Sequence, residues 1–141
     1  MAIPTGPVPT IDFATLVRTA RPNQYLLAPA GLCTTTVDAE SPVFPRPVTA
    51  LEAAWQRIAA AEPRLEPVRA EVALRQYDYV ARSAVLGFPD LVTVRFLAQA
   101  PDRSTLAVYS RSVFGRWDIG ANRRRVRRWL AAFSSSIRDG A

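Results

Sequence analysis

Residues 109–129, YSRSVFGRWDIGANRRRVRRW, form the stretch that decides the fold, because a strand with small polar residues passes through a glycine turn into an arginine-rich helix. At 3.6 residues per turn, this helix carries a polar stripe beside the apolar stripe that it must bury. The polar stripe comprises Asp118, Asn122, Arg125 and Trp129, and the apolar stripe comprises Ile119, Val126, Leu130, Phe133 and Ile137. Gly115 and Gly120 suit the junction, since glycine tolerates positive φ. The stretch therefore predicts a polar corner beside the core.

The strand before this helix alternates its side chains between two faces, so Ser110 and Ser112 share one face and Arg111 takes the other. Whichever face of the strand is buried against the core, we expect this Ser-Arg-Ser run to lie near the polar stripe of the helix at one corner. The residues expected to bind a ligand there are Arg82, Ser110, Arg111, Ser112, Asp118, Asn122 and Arg125.

Length and composition suit a single globular domain, since the chain has 141 residues and is 49% hydrophobic. The net charge is +6, and all eighteen basic residues are arginine. We interpret this complete skew as codon bias, so the positive charge is not by itself evidence for a nucleic-acid partner.

The absence of histidine excludes several chemistries: Ser-His-Asp and Cys-His catalysis, histidine-ligated zinc, and imidazole proton transfer near neutral pH. Cys33 is the single cysteine, so neither an internal disulfide nor a cysteine zinc site can form, and we expect a half-buried thiol. The acidic residues lack the spacing of a calcium loop. We therefore expect no metal and no cofactor.

The sequence contains no signal peptide pattern and no run of eighteen apolar residues, so we expect a cytoplasmic chain without a transmembrane segment. The N-terminal part, residues 1–47, is rich in proline. Pro4, Pro7 and Pro9 predict an extended arm, and residues 11–19 fit a short helix or a strand equally well. The prolines in residues 21–47 predict an irregular segment wrapped over the core, without a central strand.

The second part, residues 48–141, has the pattern α-β-β-β-β-α, and we expect the two parts to form one domain. Thr49 and Glu52 match a capping box at the start of a helix that runs to Pro63. Residues 65–72, 74–87, 91–98 and 105–114 read as strands joined by turns. The sequence thus predicts an α+β fold: a four-stranded antiparallel meander with two helices packed on one face and a proline-rich wrapping segment.

Three segments together resemble a family signature: DYVARSAVLGFPDLVTVRF at 78–96, STLAVYSRSVFG at 104–115 and DIGANRRRV at 118–126. The family is the bacterial and plastid domain of unknown function 1499, and the resemblance covers roughly the last two thirds of the chain. The motif positions that it implies are Tyr79, Phe88, Asp90, Ser110, Arg111, Ser112, Gly115, Asp118, Gly120, Asn122, Arg123 and Arg125. Trp117 and Ala121 depart from the pattern. The resemblance implies no activity.

Two functions of different class fit these residues. The first is a non-catalytic module that binds a small anionic ligand or a protein segment at the polar corner, because arginine and serine are suitable donors for carboxylate or phosphate. The second is a small hydrolase or isomerase with Asp118 as its acid or base, for which a carboxylate held by two arginines would be poorly suited.

Two further interpretations remain open. In the first, the corner is only a structural buttress, with Asp118 near the helix dipole and Asn122 as a cap or buried amide. The run of five arginines between residues 123 and 128 could bind nucleic acid or an anionic surface, although a solvated helix face is the more common meaning of such a run.

Overall fold

The computed structural model describes residues 8–84, 86–113, 115 and 118–138. Within these residues the chain forms one six-stranded sheet and two helices. The strands are β1 (Gln24–Ala28), β2 (Ala39–Glu40), β3 (Leu65–Glu71), β4 (Gln76–Arg82), β5 (Pro89–Ala100) and β6 (Arg103–Ser112), and the helices are α1 (Val48–Ala61) and α2 (Ala121–Arg138). The α+β class predicted from the sequence is confirmed.

The strand order across the sheet is β2-β1-β6-β5-β4-β3. β3 to β6 form an antiparallel meander, in which each strand pairs with the next along the chain. β1 adds to this meander by pairing antiparallel with β6, and β2 pairs parallel with β1. The sheet is therefore mixed, and the prediction of four antiparallel strands is wrong in strand number and in strand direction at this edge.

The error arose in residues 21–47, where the prolines predicted no central strand. β1 lies between Pro22 and Pro29, so neither proline interrupts its hydrogen bonds, and all five of its residues are buried. Its residues 24–27 pair with residues 108–111 of β6. Proline excludes only its own position from a ladder, so a short interior strand can form between two prolines.

Both helices pack on the same face of the sheet around the indole of Trp55 in α1. The Trp55 ring meets the rings of Tyr79, Trp129 and Phe133 at centroid distances of 5.5, 5.1 and 6.0 Å. Its Nε1–H donates a 2.8 Å hydrogen bond to the Tyr79 hydroxyl, which satisfies the polar end of each buried ring. The principal core therefore lies between the two helices and strands β1, β4, β5 and β6.

α1 begins without the predicted capping box. Pro47 occupies the N-cap position, and no side chain caps the helix. Glu52 accepts hydrogen bonds from the Tyr77 hydroxyl at 2.6 Å and from Arg75. The hydrogen bond to Glu52, together with burial, raises the pKa of Tyr77 to about 12. Glu52 therefore binds side chains at the sheet and does not cap the helix. The local spacing of Thr49 and Glu52 could not show this.

The predicted strand at 74–87 is shorter in the structure, because a single turn at Val72–Leu74 and the positive φ of Arg75, 51°, delay the start of β4 to Gln76. The strand predicted at 105–114 ends at Ser112, and Phe114 lies outside the described residues. The arm predicted around Pro4 and Pro7 also lies outside them.

The face of the sheet opposite the helices is covered by the N-terminal segment. Residues 11–19, which the sequence left open between helix and strand, form a turn at 13–15. The ring of Phe13 in this turn is fully buried, and it packs with Leu26 and Ala28 of β1 and with Ala107 and Tyr109 of β6. The N-terminal segment at residues 11–19 therefore seals a second, smaller core.

Phe13→Ala tests this role of the N-terminal segment. Removing a fully buried ring should lower the free energy of unfolding by about 3–5 kcal/mol, because the transfer energy is lost and a cavity remains. Val17→Ala is the matched control, since Val17 is exposed in the same segment and its loss should change stability by about 0.5 kcal/mol or less. Urea unfolding of both variants measures the difference, and equal midpoints would contradict the second core.

Candidate functional site

Asp118 caps the N-terminus of α2. Its Oδ1 accepts the backbone N–H of Gly120 at 2.8 Å, and its Oδ2 accepts the backbone N–H of Asn122 at 3.1 Å. A carboxylate at this position satisfies N–H groups that have no partner inside the helix and interacts favourably with the helix dipole. Both oxygens of Asp118 therefore stabilise the start of the helix.

Ile119 does not belong to the buried stripe of α2, contrary to the sequence prediction. The residue precedes the helix at φ +54°, and its side chain is 84% exposed. The periodicity was extended one turn too far, because the chain bends through Ile119 and Gly120 before α2 begins. A β-branched residue at positive φ is strained, and its carbonyl accepts a hydrogen bond from the side chain of Arg124.

The side-chain amide of Asn122 is fully buried at the centre of the corner. Its Nδ2 donates to the carbonyl of Asn23 at 3.1 Å and to the hydroxyl of Ser112 at 3.0 Å, and it also contacts Oδ2 of Asp118 at 2.9 Å. Its Oδ1 accepts from the hydroxyl of Ser110 at 2.5 Å. The amide thus joins α2 to β6 and to the residue before β1.

Arg125 connects this corner to β5. Its Nη1 donates to Oδ1 of Asn122 at 2.9 Å and forms an ion pair with Oδ2 of Asp90 at 2.9 Å. Both side chains of the ion pair are 13% exposed. Burial raises the pKa of the Asp90 carboxyl, and the charge of Arg125 opposes this rise only in part. The guanidinium of Arg125 is therefore held in place from two sides.

Arg111 lies on the opposite face of the sheet from this corner. Its Nη1 donates to the hydroxyl of Thr93 at 3.1 Å, and its guanidinium lies 4.9 Å from the centroid of the Tyr109 ring. Burial lowers the pKa of Arg111 to about 10. Thr93 donates to the buried carboxylate of Asp78, which also pairs with Arg69 at 2.9 Å. Arg111 thus belongs to a separate polar cluster on the face that the N-terminal segment covers.

The structure brings together five of the seven residues that the sequence placed at the corner. These are Ser110, Ser112, Asp118, Asn122 and Arg125. Arg111 is on the other face, because the strand alternation sends it away from its two serine neighbours. Within the described residues, Asp118 forms an ion pair with neither Arg111 nor Arg125.

Arg82 lies beside the corner and lines a cleft of about 300 Å³ that also contains Arg125. We call this the arginine cleft. Its charged residues are Arg64, Arg82, Arg124, Arg125 and Arg128, with the carboxylates of Glu62 and Asp90. Arg82 donates to Glu66 at 3.3 Å and to the carbonyl of Gly87 at 3.2 Å. Two carboxylates line the cleft and Glu66 pairs with Arg82 at its edge, so five arginines against three carboxylates leave a surplus of two positive charges.

A second concavity, of about 810 Å³, lies on the other side of the start of α2. We call it the Ile119 groove, since Ile119 contributes to its lining. Its charged residues are Arg18, Arg21, Arg123 and Arg127, with the carboxylates of Asp38 and Asp118. The arginine run of α2 is thus divided between two concavities and does not form one continuous basic strip.

Sequence reasoning missed two residues that hold the corner together. Asn23 is buried, accepts a hydrogen bond from Asn122 through its carbonyl, and donates from its side chain to the carbonyl of Gly115 at 2.6 Å. It is 99 residues from Asn122 in the sequence, so no local pattern could connect the two. Asp90 was recognised as a motif position, but nothing in the sequence paired it with Arg125.

The described part of the chain contains neither a cluster of metal-ligating side chains nor a membrane-spanning helix. No group of three or more acidic or cysteine side chains there is arranged to hold a metal ion. None of the helices there has the length and apolar character needed to cross a membrane. Cys33 is a partly buried free thiol, and burial raises its pKa, which disfavours the reactive thiolate.

Comparison with protein-family models matches residues 17–133 to the model described as Protein of unknown function (DUF1499). The matched range contains the whole corner, both concavities and all six strands. No curated protein and no solved structure gave a significant match to the chain.

Asn122→Ala tests how much the hydrogen bonds of the corner contribute to the free energy of unfolding. The variant removes the acceptor of the buried Ser110 hydroxyl, whereas the Asn23 carbonyl keeps its hydrogen bond from the backbone N–H of Ser112. Because one buried group loses its partner, we expect the free energy of unfolding to fall by about 1–3 kcal/mol. Arg123→Ala, an exposed change one residue further along α2, should stay within about 0.5 kcal/mol. Equal urea midpoints for the two variants would show that the buried amide is dispensable.

Proposed function

The chain belongs to the family described as Protein of unknown function (DUF1499), which assigns no activity, and we propose from the site itself that the protein is a non-catalytic module for a small anionic ligand. The proposed binding place is the arginine cleft. The ligand class is one that carries a carboxylate, phosphate or sulfate group, since these groups match the planar donors of arginine.

The observation that carries the proposal is the charge of the cleft. Five arginines and two carboxylates line a volume of about 300 Å³, at the lower end of the range for small-molecule sites. Confining like charges in a cleft is unfavourable unless an anion compensates them, and a concave surface of one sign concentrates counter-ions. With Glu66 at the edge paired to Arg82, the remaining surplus of two positive charges favours an anion of small size.

The cleft is also organised before a ligand arrives. Arg125 is fixed by Asn122, Ser110 and Asp90, and its side chain is only 13% exposed. Arg128 is held by two hydrogen bonds from its Nη2 to the carboxylate of Glu62. Side chains that are already ordered lose little conformational entropy on binding, which favours affinity. The polar corner thus fixes the position of Arg125, one of the arginines that line the cleft.

The alternative of a hydrolase or isomerase using Asp118 has less support. Both carboxylate oxygens of Asp118 accept hydrogen bonds from the start of α2, and Oδ2 also contacts the amide of Asn122. A general base needs an oxygen within reach of the substrate proton. Proton transfer at Asp118 would compete with the cap of α2.

The alternative of nucleic-acid binding rests on the arginine run of α2. Arg123 and Arg127 face the Ile119 groove, whereas Arg124, Arg125 and Arg128 line the arginine cleft. Trp129 is buried in the core and cannot stack on a base. A small anion in a concave site fits this divided arrangement better than a continuous phosphate backbone.

Sulfate is a suitable probe of the cleft, because its charge is constant between mildly acidic and neutral pH. In an NMR titration at constant ionic strength, we expect sulfate to shift the backbone amides of Ser83, Ala84 and Ala121, which line the cleft. The double variant Arg64→Ala/Arg128→Ala should bind sulfate about tenfold more weakly, equivalent to about 1.4 kcal/mol.

The matched control for sulfate is Arg103→Ala/Arg138→Ala, which removes the same charge from two exposed positions outside the cleft. Its sulfate affinity should stay within about twofold of the parent, since exposed distant charges are screened by salt. Equal weakening in both double variants, or shifts spread over all arginine-rich surfaces, would contradict a specific site.

The raised pKa of Asp90 predicts a pH dependence of sulfate binding. As pH falls through that pKa, the carboxylate becomes neutral, the positive surplus of the cleft increases, and sulfate should bind more tightly. Asp90→Asn should bind sulfate more tightly at neutral pH and should lose this part of the pH dependence. Glu62 is the other carboxylate of the cleft, so Glu62→Gln is measured beside it. Superimposable profiles for Asp90→Asn and the parent would exclude Asp90 from the effect.

A further inference from the structure

We propose that the Ile119 groove is a docking surface for an extended acidic peptide segment of a partner protein, with Ile119 as its apolar contact. This surface is separate from the arginine cleft, because the two concavities share no lining residue and lie on opposite sides of the start of α2. The proposal therefore does not depend on the anion site.

Charge complementarity is the first argument for an acidic occupant. The guanidinium groups of Arg21, Arg123 and Arg127 line the groove, and in the described part of the chain none of the three has a hydrogen bond or ion pair with a protein group. By contrast, Arg18 is engaged with Gln24, Asp38 and the carbonyl of Thr36. Three neighbouring arginines without partners among the described residues form a surface that attracts carboxylates.

The exposed side chain of Ile119 is the second argument. A glycine or asparagine at φ +54° would carry less strain, yet here a large β-branched side chain is displayed at 84% exposure beside the arginines. Strained residues that persist in a structure often mark a place where function uses the geometry. An apolar group surrounded by positive charge suits a peptide that alternates apolar and acidic side chains.

The shape of the groove favours a peptide over the other anionic macromolecules. Its volume of about 810 Å³ exceeds what a single phosphate or carboxylate occupies, and its concave form suits a chain segment better than a flat bilayer. Tyr25, the aromatic residue in the described lining, is buried, so the groove presents no stacking platform for single-stranded nucleic acid.

The test pans a random-peptide display library on the immobilised full chain and measures the enriched peptides by fluorescence anisotropy. We expect the enriched peptides to carry acidic residues next to an apolar residue. Arg123→Glu/Arg127→Glu should weaken their binding by at least about tenfold through charge reversal, whereas Arg103→Glu/Arg138→Glu should change it by about twofold or less. Sulfate shifts in the arginine cleft, measured in the same variants, report separately on the anion site.

Ile119→Gly distinguishes docking from a purely structural role of this turn. Glycine relieves the strain at positive φ, so the thermal midpoint should rise or stay equal while peptide affinity falls by about fivefold or more. The proposal is overturned if no peptide is enriched, if the enriched peptides lack acidic residues, or if they bind both double variants equally. It is also overturned if single-stranded DNA or anionic phosphatidylglycerol vesicles bind more tightly than the peptides and with the same dependence on Arg123 and Arg127.

Discussion

The buried side-chain amide of Asn122 is the constraint on which the arrangement of the candidate site depends. It donates to the Asn23 carbonyl and accepts from Ser110, so one side chain ties α2 to β6 and to the entrance of β1. A fully buried amide must find partners for both of its ends, since an unsatisfied polar group in the core is costly. Its geometry therefore fixes how the start of α2 lies across the sheet, and with it the direction in which each arginine of the helix points.

That orientation divides one arginine run into two surfaces of different character. On one side, Arg125 and Arg128 are held by carboxylates and protein acceptors in a small cleft. On the other side, Arg123 and Arg127 have no partner within the described residues and border a larger groove beside Ile119. An ordered cluster of donors suits a small ligand, whereas unpaired side chains along an open groove suit a longer segment. The polar groups of the corner find hydrogen-bond partners within the protein, which is why we propose binding at these two surfaces and not at the corner itself.

The candidate site could be predicted from sequence only as far as local periodicity reaches. The spacing of Asn122 and Arg125 correctly indicated that they share a helix face near Ser110 and Ser112. Arg111 was misplaced because alternation along a strand puts neighbours on opposite faces, and the sequence did not show which face the helices cover. The contacts of Asn23 and Asp90 could not be predicted, because hydrogen bonds and ion pairs between distant segments produce no periodic pattern in the sequence.

By itself the sequence determined the α+β class, the order of the meander strands and the family to which the chain belongs, because these follow from short-range periodicity, turn residues and ordered motifs. The tertiary structure alone decided that β1 enters the sheet beside β6 between two prolines, that Glu52 serves Tyr77 instead of a helix cap, and that the arginines of α2 face two separate concavities. Each of these outcomes depends on which distant groups compete for the same hydrogen bond or the same buried surface, and that competition is resolved only when the whole chain is packed.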